Sequence, residues 1–253
     1  MFAELIAVFS REPILMAPLG VIAFFLIRSA FAAGPMKRRI LSGEYPNARL
    51  QAYAETMRSL WVIAGVCLAA WLISGRSLAE IGFRIEGGAV ALAGWAIAAA
   101  GAGYMIFSIV QAALSRKTRI SLREQFANAG DFDLYRPENE REHVRFQWLG
   151  FTAGVTEEII FRGFLIGVLS LALPVWIAAI ASVAIFTVGY AYQGLSGMIR
   201  VAFVSIVLTA IFLLSGSLWP AIALHYFIDA AAGALILLIQ ENESDDAAEV
   251  QPA

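Results

Sequence analysis

The sequence predicts an all-α, polytopic membrane protein of about seven transmembrane helices, with a buried polar site between helices four and seven. Three observations predict it. Hydrophobic residues make up 60% of the chain and charged residues 15%, with a mean hydropathy of +0.73; soluble domains run about 45–50% apolar and about 25% charged. Seven apolar runs, at about 13–33, 57–74, 88–112, 146–170, 173–192, 199–216 and 218–239, approach or exceed the roughly 20 residues that cross about 30 Å of hydrocarbon. Ionisable residues nevertheless recur inside the fourth and seventh runs, where one charge costs roughly 2.5–3.5 kcal/mol on insertion scales.

Orientation follows from the short loops. The first loop carries Lys37, Arg38, Arg39, Arg49 and Arg58, and the third carries Arg116, Lys117, Arg119, Arg123, Arg136, Arg141 and Arg145. The second has only Arg76 and Arg84, beside Glu80 and Glu86. The excess of basic residues places loops one and three in the cytoplasm, the N-terminus outside and the C-terminus inside. The chain then divides into three transmembrane helices over 1–112, a cytoplasmic loop over 113–145, a four-helix core over 146–240, and an acidic tail over 241–253 expected to be disordered. The third loop reads as an amphipathic or irregular surface segment, either a solvated connector or a substrate gate or lipid contact. His143, among Arg141, Glu142 and Arg145, reads as solvated there. The N-terminus carries Glu4 and lacks a basic leader, so no cleavable signal peptide is expected. Cys67 is the single cysteine, which leaves no intrachain disulfide and no cysteine-rich zinc site. Gly94, Gly101 and Gly103 in the third run suit close helix packing.

The chemistry-bearing residues fall in three runs. From Phe146 to Leu173 the only charges are Glu157, Glu158 and Arg162. Glu158 and Arg162 are four apart and share a helix face, whereas Glu157 lies about 100° round. They read either as a salt-bridge network locking helices or as an ion pair beside a working carboxylate; ionisable groups at membrane depth favour function. The fifth run ends with Phe186 and Tyr190, four apart, which read alone as an aromatic pair near an interfacial belt. The seventh holds His225 and Asp229, again four apart and roughly 6 Å along the axis. They could form a structural hydrogen bond, polarise a carbonyl, hold a water or bind a cation. Residue counting puts Glu157 roughly 16 Å into its span and Tyr190 nearer the cytoplasmic end of its own.

In this order, Glu157-Glu158-x-x-x-Arg162, Phe186-x-x-x-Tyr190 and His225-x-x-x-Asp229 resemble the EExxxR, FxxxH and HxxxN/D motifs of the CPBP family of intramembrane proteases. That family includes CAAX-processing endopeptidases and bacteriocin-immunity (Abi) proteins. The resemblance covers about 145–235 well; Ser77–Arg84 is weakly similar too. It implies hydrolysis of a peptide bond in a membrane-associated protein or peptide within the lipid bilayer. Glu157 would activate water, His225 with Asp229 would serve the oxyanion side, and Glu158 and Arg162 would hold the geometry. The resemblance also implies that helix five joins the site, so that the buried polar site lies between helices four, five and seven, with Tyr190 standing where the family has histidine. A phenol with an ordinary pKa near 10 cannot replace an imidazole as acceptor or metal ligand, but it can donate a hydrogen bond.

The cofactor is left unassigned. The resemblance implies a divalent metal such as zinc, but its ligands would have to be Glu157, His225 and Asp229, a set poorer in histidine than catalytic zinc favours. No feature points to a nucleic acid. The expected location is a bacterial inner membrane. The competing readings are a weakened or inactive binding or scaffold protein of the same fold, because of Tyr190, and a transporter or proton relay through Glu157, Arg162, His225 and Asp229. The absence of paired broken helices speaks against the transporter.

Overall fold

Apolar runs become helices here because no water in the hydrocarbon can satisfy open backbone groups. The computed structural model describes residues 10–127 and 136–249, and no strand occurs among them. α1 (Pro13–Leu41) opens with proline at its first turn, where a missing N–H costs nothing. α2 (Ala48–Ile73) and α3 (Ala89–Leu114) follow, and α4 (Arg116–Ala127) is shorter. α5 (Glu140–Glu157) passes without a break into a π-helical segment (Glu158–Leu165) and then α6 (Ile166–Leu169). α7 (Val175–Gly189), α8 (Gly194–Ser215) and α9 (Leu218–Glu249) complete the bundle.

α1, α2, α3, α8 and α9 are each long and apolar enough to cross a membrane. The fourth expected span is the continuous helix over 140–169, whose second half is largely π-helical. The fifth, α7, has 15 residues, about 22 Å, and stops short of a full crossing. Its end is set by Tyr190, which leaves the helical region (φ −99, ψ 13), and by Gly194 at φ 74. The bundle is therefore the polytopic all-α protein expected, with the fifth span truncated.

Two further differences concern the polar segments. The tail expected to be disordered continues α9 as helix through Glu249, and 250–253 lie outside the described residues. The loop over 113–145 contains α4 and the first turn of α5, with 128–135 outside the described residues. Asn139 caps α5 by accepting from the Glu142 N–H. Arg49 of α2 bridges Glu138 and the buried Glu142, so this end of the loop is tied to the bundle rather than solvated. His143 is half-buried beside Gln147.

The central core wraps the π segment: Leu60, Ile63 and Trp71 of α2, Phe164 and Val168 of the fourth span, and Phe186 of α7. The short 3₁₀ turn Leu78–Ile81 seals its far end, its Ser77–Glu80 capping box closed on both sides. Ile81 is fully buried and sits under Gly163 and Gly167. α5 meets α9 through glycines, since a Cβ on Gly154 would lie 3.0 Å from the Tyr226 backbone nitrogen and one on Gly150 would lie 2.9 Å from the Asp229 Cβ. Small residues at these points let the two helices bring their polar side chains together.

Gly154→Ala is expected to lower thermal stability in detergent, since backbone cannot yield; overpacking of this kind costs about 1–3 kcal/mol. Gly103→Ala, which meets nothing within 4 Å, is the control and is expected to leave the melting temperature the same or slightly higher.

Candidate functional site

The α-to-π transition falls on the acidic pair itself: Glu157 is the last residue of α5 and Glu158 the first of the π segment. Such segments are uncommon and concentrate at functional sites. Glu157, Glu158, Arg162 and His225 are all buried, at 7%, 0%, 1% and 5% exposure. Charged side chains in that setting need partners.

Glu158 lies at the centre. One of its oxygens, Oε1, accepts from Arg162 Nη1 at 2.9 Å and stands 2.7 Å from His225 Nδ1. A carboxylate paired with arginine accepts and does not donate, so Nδ1 carries the proton and the ring is fixed with Nε2 pointing away. Arg162 is then held from α8. Nη2 donates to the Ser205 carbonyl (3.1 Å) and hydroxyl (2.8 Å), and Nε donates to the Thr209 hydroxyl (3.3 Å). The Phe186 ring lies 4.7 Å from its guanidinium carbon, a cation–π contact that gives the second-motif aromatic a definite task. Ser182 of α7 donates to the Phe161 carbonyl within the π segment at 2.7 Å.

Glu157 points the other way. The Tyr190 hydroxyl donates to its carboxylate, 2.9 and 3.0 Å from the two oxygens. Tyr190 therefore reaches the site, although residue counting set it nearer the membrane edge. α7 ends early, and its last residues descend only to the level of Glu157. His225 Nε2 stands 3.8 Å from Glu157 Oε2 and 3.8 Å from Asp229 Oδ2. Neither gap is a hydrogen bond, and a separation of that size leaves room for a water bound to the facing atoms. A cavity of about 620 Å³ is lined by Glu157, Phe186, Tyr190, His225 and Asp229, with apolar walls from α1, α2, α8 and α9.

The three motifs thus converge on one polar site, through helices four, five and seven as the sequence led one to expect. The sixth span, expected as a membrane helix, also contributes to the site, a part that the sequence reading did not give it. Ser205 and Thr209, four apart in an otherwise apolar run, were the available signal. Among the described residues, no three His, Cys, Asp or Glu side chains are placed to share a metal ion. The candidate donors are the Glu157 and Asp229 carboxylates and one imidazole nitrogen, His225 Nε2, since Nδ1 is committed to Glu158. That set is poorer in histidine than catalytic zinc favours.

Residues 141–231 match the Rce1-like family model, described as type II CAAX prenyl endopeptidase Rce1-like. The matched stretch, 91 of the 253 residues, contains Glu157–Arg162, Phe186–Tyr190 and His225–Asp229, and it supports a CPBP-type domain there. No curated protein and no solved structure matches the sequence.

Arg162→Met leaves the Glu158 carboxylate buried and short of its cation. A loss of about 3–5 kcal/mol is expected, read as a lowered unfolding temperature in detergent micelles. Glu158→Gln combined with Arg162→Met is expected to be less destabilised than Arg162→Met alone, since the stranded charge is gone.

Proposed function

We propose that this Rce1-like domain makes the chain an intramembrane endopeptidase, hydrolysing a peptide bond of a membrane-associated protein or peptide. The observation that carries this reading is the Tyr190 hydroxyl on Glu157, facing His225 across one shared cavity. A tyrosine turned to lipid would have left Glu157 without a donor in the position of the family histidine.

The proposed reaction begins with a water held between Glu157 and His225. One carboxylate oxygen of Glu157 takes a proton from it, while Tyr190 hydrogen-bonds the carboxylate and fixes its direction. The hydroxide oxygen bonds to the scissile carbonyl carbon, and the carbonyl electrons move to oxygen. His225, protonated on both nitrogens and flanked by the carboxylates of Glu158 and Asp229, donates Nε2–H to that oxyanion. The carbon–nitrogen bond then breaks, and Glu157 returns its proton to the leaving nitrogen, giving a carboxylic acid and an amine. Glu158, Arg162, Ser205 and Thr209 touch no reacting atom; they hold the imidazole. Every step of this reaction uses the chain's own residues.

The apolar cavity walls suit a substrate presented from the bilayer. The matched family's description makes a prenylated CAAX peptide the first substrate to try. The basic loops support an orientation with the α1–α2 connection and α4 in the cytoplasm.

The test is cleavage by proteoliposomes, with the prenylated CAAX peptide first and an unbiased peptide library second. Glu157→Gln is expected to abolish cleavage without loss of folded protein. Tyr190→Phe removes the hydrogen bond that aims the Glu157 carboxylate and is expected to lower kcat by about 10–10²-fold. Unchanged turnover in Glu157→Gln sinks the mechanism. Wild-type protein that cleaves nothing leaves the same fold as a binding protein.

A further inference from the structure

α4 has no part in the chemistry above, yet it borders the same cavity. Leu122 and Gln125 contribute to the cavity wall, together with Met36 of α1, Ala52 of α2 and Leu235 of α9. All of these lie at the end of the bundle that carries the basic loops. α4 does not prolong α3: Ser115 is extended (φ −128, ψ 111) and breaks the axis. Arg119 then folds back, its Nη1 donating to the Ala112 and Ala113 carbonyls at 2.7 and 3.0 Å. That closes the end of a 26-residue span and turns α4 away at the level where the hydrocarbon stops.

The charge of this rim is one-sided. Residues 116–125 carry Arg116, Lys117, Arg119 and Arg123 against the single acid Glu124. Arg116, Lys117 and Ile120 are exposed on the outer side, while Thr118, Arg119, Leu122 and Arg123 are half-buried. Across the mouth, Met36 is followed by Lys37, Arg38 and Arg39, of which Arg38 is exposed. Basic side chains beside an exposed isoleucine, on a helix turned aside at the end of a membrane span, match acidic headgroups with apolar tails beneath them.

We propose that acidic phospholipid headgroups dock on α4 through Arg116 and Lys117 and hold this helix in place as a wall of the cavity mouth. The composition of the bilayer would then govern how firmly the cavity is closed at its basic end. This does not depend on the peptidase reading, and the test below does not use activity.

The full chain is placed in nanodiscs of phosphatidylcholine, or of phosphatidylcholine with about one third phosphatidylglycerol, and amide hydrogen exchange is followed over 116–125. Exchange is expected to slow by about fivefold or more with phosphatidylglycerol, the effect of roughly one exposed basic residue meeting an anionic surface. High salt is expected to cancel the difference. Arg116→Glu with Lys117→Glu is expected to abolish it. This variant keeps the helix, because acidic residues in a first turn favour the helix dipole. Equal exchange in the two bilayers, or a variant that still responds, overturns the proposal. Slowing by inorganic phosphate in neutral discs also overturns it, since the site would then take a free anion rather than a lipid surface.

Discussion

Everything polar in this bundle is organised around the Glu158 carboxylate. One oxygen is shared by the Arg162 guanidinium and the His225 imidazole, at 2.9 and 2.7 Å, with all three side chains nearly or wholly buried. Charges at this depth persist only when partnered. The partnership draws in α8 through Ser205 and Thr209, α7 through Phe186, and α9 through His225. The ion pair is thereby an assembly point for four spans, and its by-product is a histidine ring whose orientation is fixed.

That fixed ring separates the two neighbouring acids by role. Glu158 is consumed by structure. Glu157, one residue earlier and on the other side of the α-to-π transition, is left facing a cavity with only a phenol on it. The close approach of α5 and α9 at Gly150 and Gly154 brings Asp229 and His225 to the same cavity. Helix packing and site geometry are therefore one problem here: a side chain at either glycine would move the groups that face the cavity.

Much of this was legible in the sequence. Apolar content and run length specified an all-α membrane bundle, and the i, i+4 spacing specified the Glu158–Arg162 pair, because both depend on local periodicity alone. His225 and Asp229 were recognisable as a second polar pair for the same reason. The helical course of 241–249 was not legible, because an acidic composition does not reveal the helix it continues. The truncation of α7 was equally hidden: an apolar run up to Tyr192 gives no sign that the backbone leaves the helix at Tyr190.

What the sequence by itself determined is which residues are too costly to sit in lipid without a purpose: Glu157, Glu158, Arg162, His225 and Asp229. Their cost is a property of side-chain chemistry and the surrounding apolar run. Only the tertiary structure decided what each of them faces. It turned Tyr190 onto Glu157, gave Ser205 and Thr209 to Arg162, and committed one histidine nitrogen to Glu158. Those contacts join helices tens of residues apart, and their partners are set by where α7 stops and how closely α5 and α9 approach, which no local pattern encodes.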